Sequence, residues 1–299
     1  MSALKRSSVT KAKAKQTIGK PLAHDSAGLH VSGSATYVDD ILEPEGCLHL
    51  APGLSTIAKG TIKSLDLEAV RTAPGVVKVL TAGDVPGLND WSPSIGGDPI
   101  LANKEILFHG QVIFVVIATS RKAARHAAKL AEISYREQKP LVTTADGLKA
   151  GKEVLDPFTF KRGNAQKVLK KSRHRIAGEL SIGGQEHFYL EGQASLSVPG
   201  ENGDIKVHCS TQHPTEVQHL IAKMLGVSDA SITCECRRMG GGFGGKESQA
   251  AQWACLAALA THLTGKPCKM RLDRDADIMA TGKRHDFDVR YQAGYDDKG

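Results

Sequence analysis

The chain has 299 residues and is 40% hydrophobic, enough to bury ordinary cores and, by size, to form two domains. Its net charge of +7 suggests a polyanion partner, but Lys5, Arg6, Lys11, Lys13, Lys15 and Lys20 all precede the first acid, Asp25. Residues 25 to 299 carry 33 basic and 32 acidic side chains, and aromatics are only 5%, so neither a global field nor base stacking supports a nucleic-acid partner.

Residues 1 to 24 read as a disordered basic leader rich in Lys, Ser, Thr and Ala. This segment lacks the apolar core of a signal peptide; a transit peptide would favour Arg over Lys and show an amphipathic stripe. No stretch approaches 18 uninterrupted apolar residues, which excludes a membrane helix and leaves a soluble, cytoplasmic reading. Six cysteines (47, 209, 234, 236, 255 and 268) without a secretory signal favour reduced thiols. Cys234 and Cys236 form a CxC pair, but no second pair stands at ligand spacing, so buried structural cysteine is preferred to a metal half-site. Any iron–sulfur cluster belongs on another polypeptide.

Taken in order, residues 25–136 read as an α+β unit. Leu65 to Thr72 reads as a helix stopped by Pro74-Gly75, and Val76 to Leu80 as a strand. Val112 to Ala118 suits a buried strand, and Ser120 caps a helix extending through Glu132, with alanines at 123, 124, 127, 128 and 131. Ile133 to Tyr135 starts another strand. Residues 137–172 lose periodicity and read as a linker. Residues 173–299 begin a second domain, with strands at Ile176 to Ile182, Ala194 to Val198 and Ile205 to Ser210. Pro214 opens a helix ended by Gly226. Ser231 to Arg237 is a strand, and Ser248 caps a helix to Thr264 with Gly265 and Pro267 as the stop. Phe287, Val289, Tyr291 and Ala293 alternate as a strand running into a turn at Asp296 to Gly299. A hairpin without its returning strand leaves an unpaired edge, so the expectation is a piece of a larger polypeptide.

Between the strand at 231–237 and the following helix lies Arg238-Met239-Gly240-Gly241-Gly242-Phe243-Gly244-Gly245-Lys246-Glu247. Five glycines permit positive φ and are expected to leave backbone N–H groups uncovered for a phosphate or other oxyanion at a helix N-terminus. Gly240, Gly242 and Gly245 fit the dinucleotide fingerprint, but the acid expected about 20 positions on is missing. Gly240 to Lys246 spells the body of a P-loop, but Glu247 stands where a magnesium-holding Ser or Thr is required and would repel phosphates. A turn without a ligand leaves unexplained an exposed Phe243 crowded by Arg238, Lys246 and Glu247.

This loop, together with Gly183-Gly184-Gln185-Glu186-His187-Phe188-Tyr189-Leu190-Glu191, Ser210-Thr211-Gln212-His213-Pro214, Leu272-Asp273-Arg274-Asp275, Thr281-Gly282-Lys283-Arg284-His285 and the Gly33 to Asp40 run, resembles the molybdenum-binding large subunit of the xanthine dehydrogenase family. The fold class implied is α+β: an α/β hammerhead domain at 25–136 followed by the first part of a molybdopterin-binding α/β domain at 173–299. By the same resemblance, Gln185 hydrogen-bonds an oxo ligand of molybdenum. Gly242, Phe243 and Gly244 border the molybdopterin, with Phe243 near the metal, and Glu247 binds and orients a purine. The competing structural role of Glu247 is that of a residue at the first helical position, favouring its own helix dipole by about 0.3–1 kcal/mol.

The implied activity is hydroxylation of hypoxanthine and xanthine to urate with water as oxygen source. Electrons leave through 2Fe–2S clusters and FAD on a partner subunit to NAD⁺ in a hetero-oligomer. In family members the base glutamate lies beyond the position of Gly299, so no catalytic base is assigned and the 299-residue chain is expected to be inactive alone. Lys283-Arg284-His285-Asp286-Phe287 departs from the family's proline before the phenylalanine. Two alternatives stay open: an aldehyde or N-heterocycle substrate, and a non-catalytic binding or assembly module.

Overall fold

The structure, a computed structural model, describes residues 18–299. Most of the expected leader therefore lies outside the described residues. Helix α1 (Ala27–Val31) is a five-residue turn with no buried side chain, in a unit ending at Thr36. The second unit, Tyr37–Gly299, carries everything else.

Its first half runs β1 (Leu48–Leu54), β2 (Gly60–Asp66), α2 (Glu68–Arg71), β3 (Val76–Leu80), β4 (Glu105–Ile106), β5 (Val112–Ala118), α3 (Arg121–Ala128) and β6 (Glu132–Glu137). The helix expected from Leu65 shrinks to one turn. Leu65 is instead a strand residue opposite Ile133, and the Asp66 carboxylate accepts the Glu68 N–H where the helix begins. Ser120 caps α3 as expected, its hydroxyl accepting the Ala123 N–H, but the helix stops at Ala128 and Glu132 already belongs to β6. Two helices, α4 (Thr144–Ala150) and α5 (Ala165–Lys171), occupy the segment expected to be plain linker, opened by the side-chain caps of Thr143 and Asn164.

The second half adds β7 (His174–Ile182), β8 (Ala194–Pro199), β9 (Ile205–Cys209), α6 (Pro214–Leu225), β10 (Ile232–Glu235), α7 (Gln249–Thr264), β11 (Cys268–Arg271), α8 (Arg274–Ala280) and β12 (Phe287–Tyr295). Gly226 at φ 69° and Gly265 at φ 66° end α6 and α7 in the left-handed conformation glycine adopts without strain. No described helix is long and apolar enough to cross a membrane.

One mixed sheet of seven strands, ordered β10-β9-β8-β11-β1-β5-β3, takes strands from both halves. Parallel pairing of β1 with β11, Leu48 opposite Cys268, joins them. Because side chains alternate across a strand, β5 sends Val115 and Ile117 into one core and Phe114, Val116 and Ala118 into the other. The first core holds α6 and α7; the second holds α2, α3 and the three-stranded sheet β4-β2-β6. Helix α7 is buried on every side from Ala250 to Thr261, as expected of a helix apolar all round. Two of its polar residues are satisfied in place, Gln252 donating to Ile100 O at 3.0 Å and Thr261 to Ser197 O at 3.3 Å, whereas the buried Trp253 indole N–H has no partner among the described residues.

Strand β12 is not left unpaired at the chain's end. It runs antiparallel to β7 over nine residues, from Phe287 opposite Ile182 to Tyr295 opposite His174. The turn after it is present, with Gly299 N–H donating to Asp296 O at 3.1 Å.

Candidate functional site

The glycine loop hangs between β10, at the edge of the seven-stranded sheet, and the buried α7. Its expected open backbone is mostly closed from within. Gly240 N–H donates to Glu191 Oε2 at 2.8 Å, Gly245 N–H to Gly242 O at 2.8 Å, and Gly244 and Lys246 N–H to Gln212 Oε1 at 2.9 and 3.2 Å. The glycines are needed for close packing. A Cβ on Gly240 would come within 2.5 Å of the Glu191 side chain, on Gly242 within 2.6 Å of Gln212, and on Gly245 within 2.7 Å of His187.

Lys246, which a P-loop would turn toward phosphate, points inward and is 0% exposed. Its Nζ donates to Glu191 O at 2.6 Å and Ser210 Oγ at 2.8 Å, lies 3.5 Å from Glu191 Oε2, and sits 4.7 Å from the centroid of the Tyr189 ring. Burial drives the Lys246 pKa down while Glu191 opposes that; the net shift is downward. Glu191 is the hub. Its Oε1 accepts Val38 and Asp39 N–H at 3.1 and 3.5 Å, and its Oε2 accepts the Ser210 hydroxyl at 2.6 Å besides Gly240. A second buried acid, Asp277 on α8, accepts the Tyr189 hydroxyl at 2.6 Å and Gln193 N–H at 3.0 Å. Burial, followed by that contact, pushes the Tyr189 phenol well above its ordinary value.

The outward side differs. No protein acceptor takes the N–H groups of Gly241, Gly242 and Phe243 among the described residues. Phe243 is 73% exposed at φ 56°, a left-handed conformation that costs a bulky residue on the order of 1–3 kcal/mol. Its ring lines an open cleft of about 390 Å³ together with Gln185, Glu186, His187 and Arg284. Gln185 is fixed there by a two-way backbone bridge with Arg284, both bonds 3.1 Å. Glu186 pairs with Lys283 at 2.8 Å. Burial pushes its carboxyl up, but the Lys283 contact and the Phe188 N–H outweigh this, so its pKa lies below the ordinary value.

Of the expected site residues, Gln185 and Phe243 meet at this cleft. Gly242 is buried beneath the loop and Gly244 lies exposed beside Phe243. Glu247 is exposed outside the cleft lining and lies one residue before the helix cap rather than at the first helical position. Ser248 holds the cap position, but its hydroxyl makes no capping bond. Three residues given no role by sequence reasoning organise the loop: Glu191, Gln212 and Lys246. Each stood inside a recognised motif, which was the available signal. The amide bonded directly to the loop is that of Gln212, not Gln185.

The N–H groups of Gly241, Gly242 and Phe243 that no protein acceptor takes are donors left over for a rigid, acceptor-rich group, so the residues present fit a pterin-type cofactor. The layered mixed sheet and this loop define an α+β protein with a cofactor-binding face. Residues 149–299 match the molybdopterin cofactor-binding domain, and residues 32–139 match the a/b hammerhead domain of aldehyde oxidase and xanthine dehydrogenase. The chain belongs to this molybdopterin-binding family of aldehyde oxidases and xanthine dehydrogenases.

Xanthine dehydrogenase of Dictyostelium discoideum is 38% identical over 287 residues, 95% of this chain and 21% of that protein. Aldehyde oxidase 2 of Macaca fascicularis is 35% identical over 284 residues, 94% and 21% respectively. The chain thus spans about a fifth of the length of the curated relatives it matches. The aldehyde oxidoreductase of Desulfovibrio gigas shares the fold at a TM-score of 0.82 and 24% identity, over 91% of this chain and 32% of that one.

Proposed function

We propose that the chain forms one wall of the molybdenum–molybdopterin centre of a xanthine dehydrogenase-type purine hydroxylase. The observation that carries this is the meeting of Gln185 and Phe243, from runs far apart in sequence, at one cleft. The likeness to a xanthine dehydrogenase over 95% of the chain supports the purine substrate class. When bound, the cofactor supplies two-electron oxidation with water as the oxygen source.

In this reading the backbone of Phe243 and Gly244 lies against the cofactor, and Gly242 lets the loop pass over Gln212. Gln185, on the cleft wall, offers its amide to the metal's oxo ligand. Gln212, whose carbonyl oxygen is already taken by the loop, holds that surface in shape. Glu247, exposed beyond the loop, binds and orients hypoxanthine or xanthine. Electrons pass through 2Fe–2S clusters and FAD on a partner subunit to NAD⁺, in a hetero-oligomer.

The test uses the holoenzyme containing this chain. Glu247→Ala is expected to retain molybdenum while raising KM for xanthine at least ~10-fold, the size expected for one charge-assisted contact. Unchanged xanthine kinetics would remove the purine assignment. A second reading, an aldehyde or N-heterocycle substrate, is favoured by the 35% identity to aldehyde oxidase 2; turnover of aldehydes in preference to xanthine selects it.

A further inference from the structure

A second concavity, of about 540 Å³, lies between β1, α3, β6 and α8 and shares no lining residue with the Phe243 cleft. Its volume falls in the ~300–1,000 Å³ range of small-molecule sites. The walls are apolar: Leu54, Phe114, Ala128, Ile133, Ala276 and Met279. The Phe114 ring occupies the space a Gly53 Cβ would take, so the strand backbone lies flat under it.

The charged groups of the lining are Arg125, Lys129 and Asp273, beside the uncharged polar side chains of Ser55, Thr56 and Tyr135. Arg125 is neutralised by its ion pair with Asp273, the one acid in the lining. Lys129 and His109 also line the opening, and among the described residues Lys129 has no acidic partner. The same helix face carries Lys122 and His126, which together with Arg121, Arg125 and Lys129 line a shallow groove without an acid. An apolar body with a single negative head satisfies both observations: the body replaces water on the apolar walls, and the head meets the uncompensated Lys129 ammonium.

We propose that this groove binds an aliphatic monocarboxylate, independently of the cofactor site. Met279 supplies the readout, because it lines the groove. The chain carrying ¹³C-methyl methionine is titrated with decanoate, and with decanol as the uncharged comparison, below their micelle-forming concentrations. The expected result is a saturable shift of the Met279 methyl with decanoate and roughly tenfold weaker binding of decanol, the ratio of one charge contact. Lys129→Glu, on an exposed side chain, weakens decanoate by about the same factor. Ala276→Phe fills the groove and abolishes the shift while the circular dichroism spectrum is kept; should that variant not fold, the Lys129→Glu arm decides alone. Equal binding of decanol, an unmoved Met279 methyl, or full decanoate affinity in Lys129→Glu overturns the proposal. So does a Met279 shift that follows protein concentration in place of decanoate, which reassigns the groove to a second copy of the chain.

Discussion

The loop at 238–247 uses glycine differently on its two faces. On the inner face, Gly240, Gly242 and Gly245 are required by protein atoms, since Glu191, Gln212 and His187 stand where their Cβ atoms would be. On the outer face, a Cβ on Gly244 would meet nothing nearer than a His187 nitrogen at 3.9 Å, and Phe243 adopts φ 56° in the open. A glycine-rich run therefore does not by itself mark an anion cradle. Close packing of backbone on buried polar side chains demands the same residue type, and only the strained, exposed segment is left to face a ligand.

Removing the inner support gives the largest effect. Glu191→Ala leaves the Lys246 ammonium buried beside unpaired Ser210 and Gly240 donors, and is expected to cost about 3–5 kcal/mol in guanidinium unfolding. A loss under about 1 kcal/mol would show that the hub does not support the fold. Next, Gly245→Ala drives a methyl into the His187 and Tyr189 rings and is expected to lower stability by about 1–3 kcal/mol, read from the shift in thermal midpoint.

Gln212→Ala frees the Gly244 and Lys246 N–H groups at a cost of about 1–1.5 kcal/mol. Gln185→Ala, whose bridge to Arg284 is made by backbone alone, should leave chemical denaturation nearly unchanged. Equal losses for the two glutamines would erase the distinction between support and cleft wall. On the outer face, Phe243→Gly relieves the positive φ and is expected to be neutral or stabilising by up to ~1 kcal/mol, while molybdenum retention in the holoenzyme falls. A marked loss of stability would place Phe243 with the inner set.

The smallest effect is a pH slope from the strand β9 beside the loop. Burial, then Lys206, holds the His208 pKa below its ordinary 6.5, although Glu235 opposes them. The folded state then binds fewer protons than the unfolded chain between those two values. Stability should fall as pH drops below about 6.5 and stay flat above it, and His208→Gln should reduce the slope of denaturation midpoints between about pH 7 and pH 5.

Much of the second half was legible from local signals. Pro214 and Gly226 bracket α6, Gly265 and Pro267 stop α7, and the alternating residues at 287–293 form β12. One error came where a tertiary contact overrode a local pattern: Leu65 joined a strand because Ile133 paired with it; the partner of β12, β7 more than a hundred residues back, was not read from the sequence. The candidate site divided the same way. Motif runs singled out Gln185 and Phe243, which meet at the cleft, and Glu247, which lies outside its lining, yet Glu191, Gln212 and Lys246 passed unassigned because long-range contacts alone reveal their roles.

The sequence by itself determined the family, the order of most helices and strands in the second half, and the loop's glycine-rich character, because those depend on residue type and short spacing. Tertiary structure alone decided which side of the loop is open. Lys246, at the position of a P-loop lysine, is turned inward by burial against Glu191, and Phe243 is left outside because the inner volume is already filled by Gln212 and Tyr189.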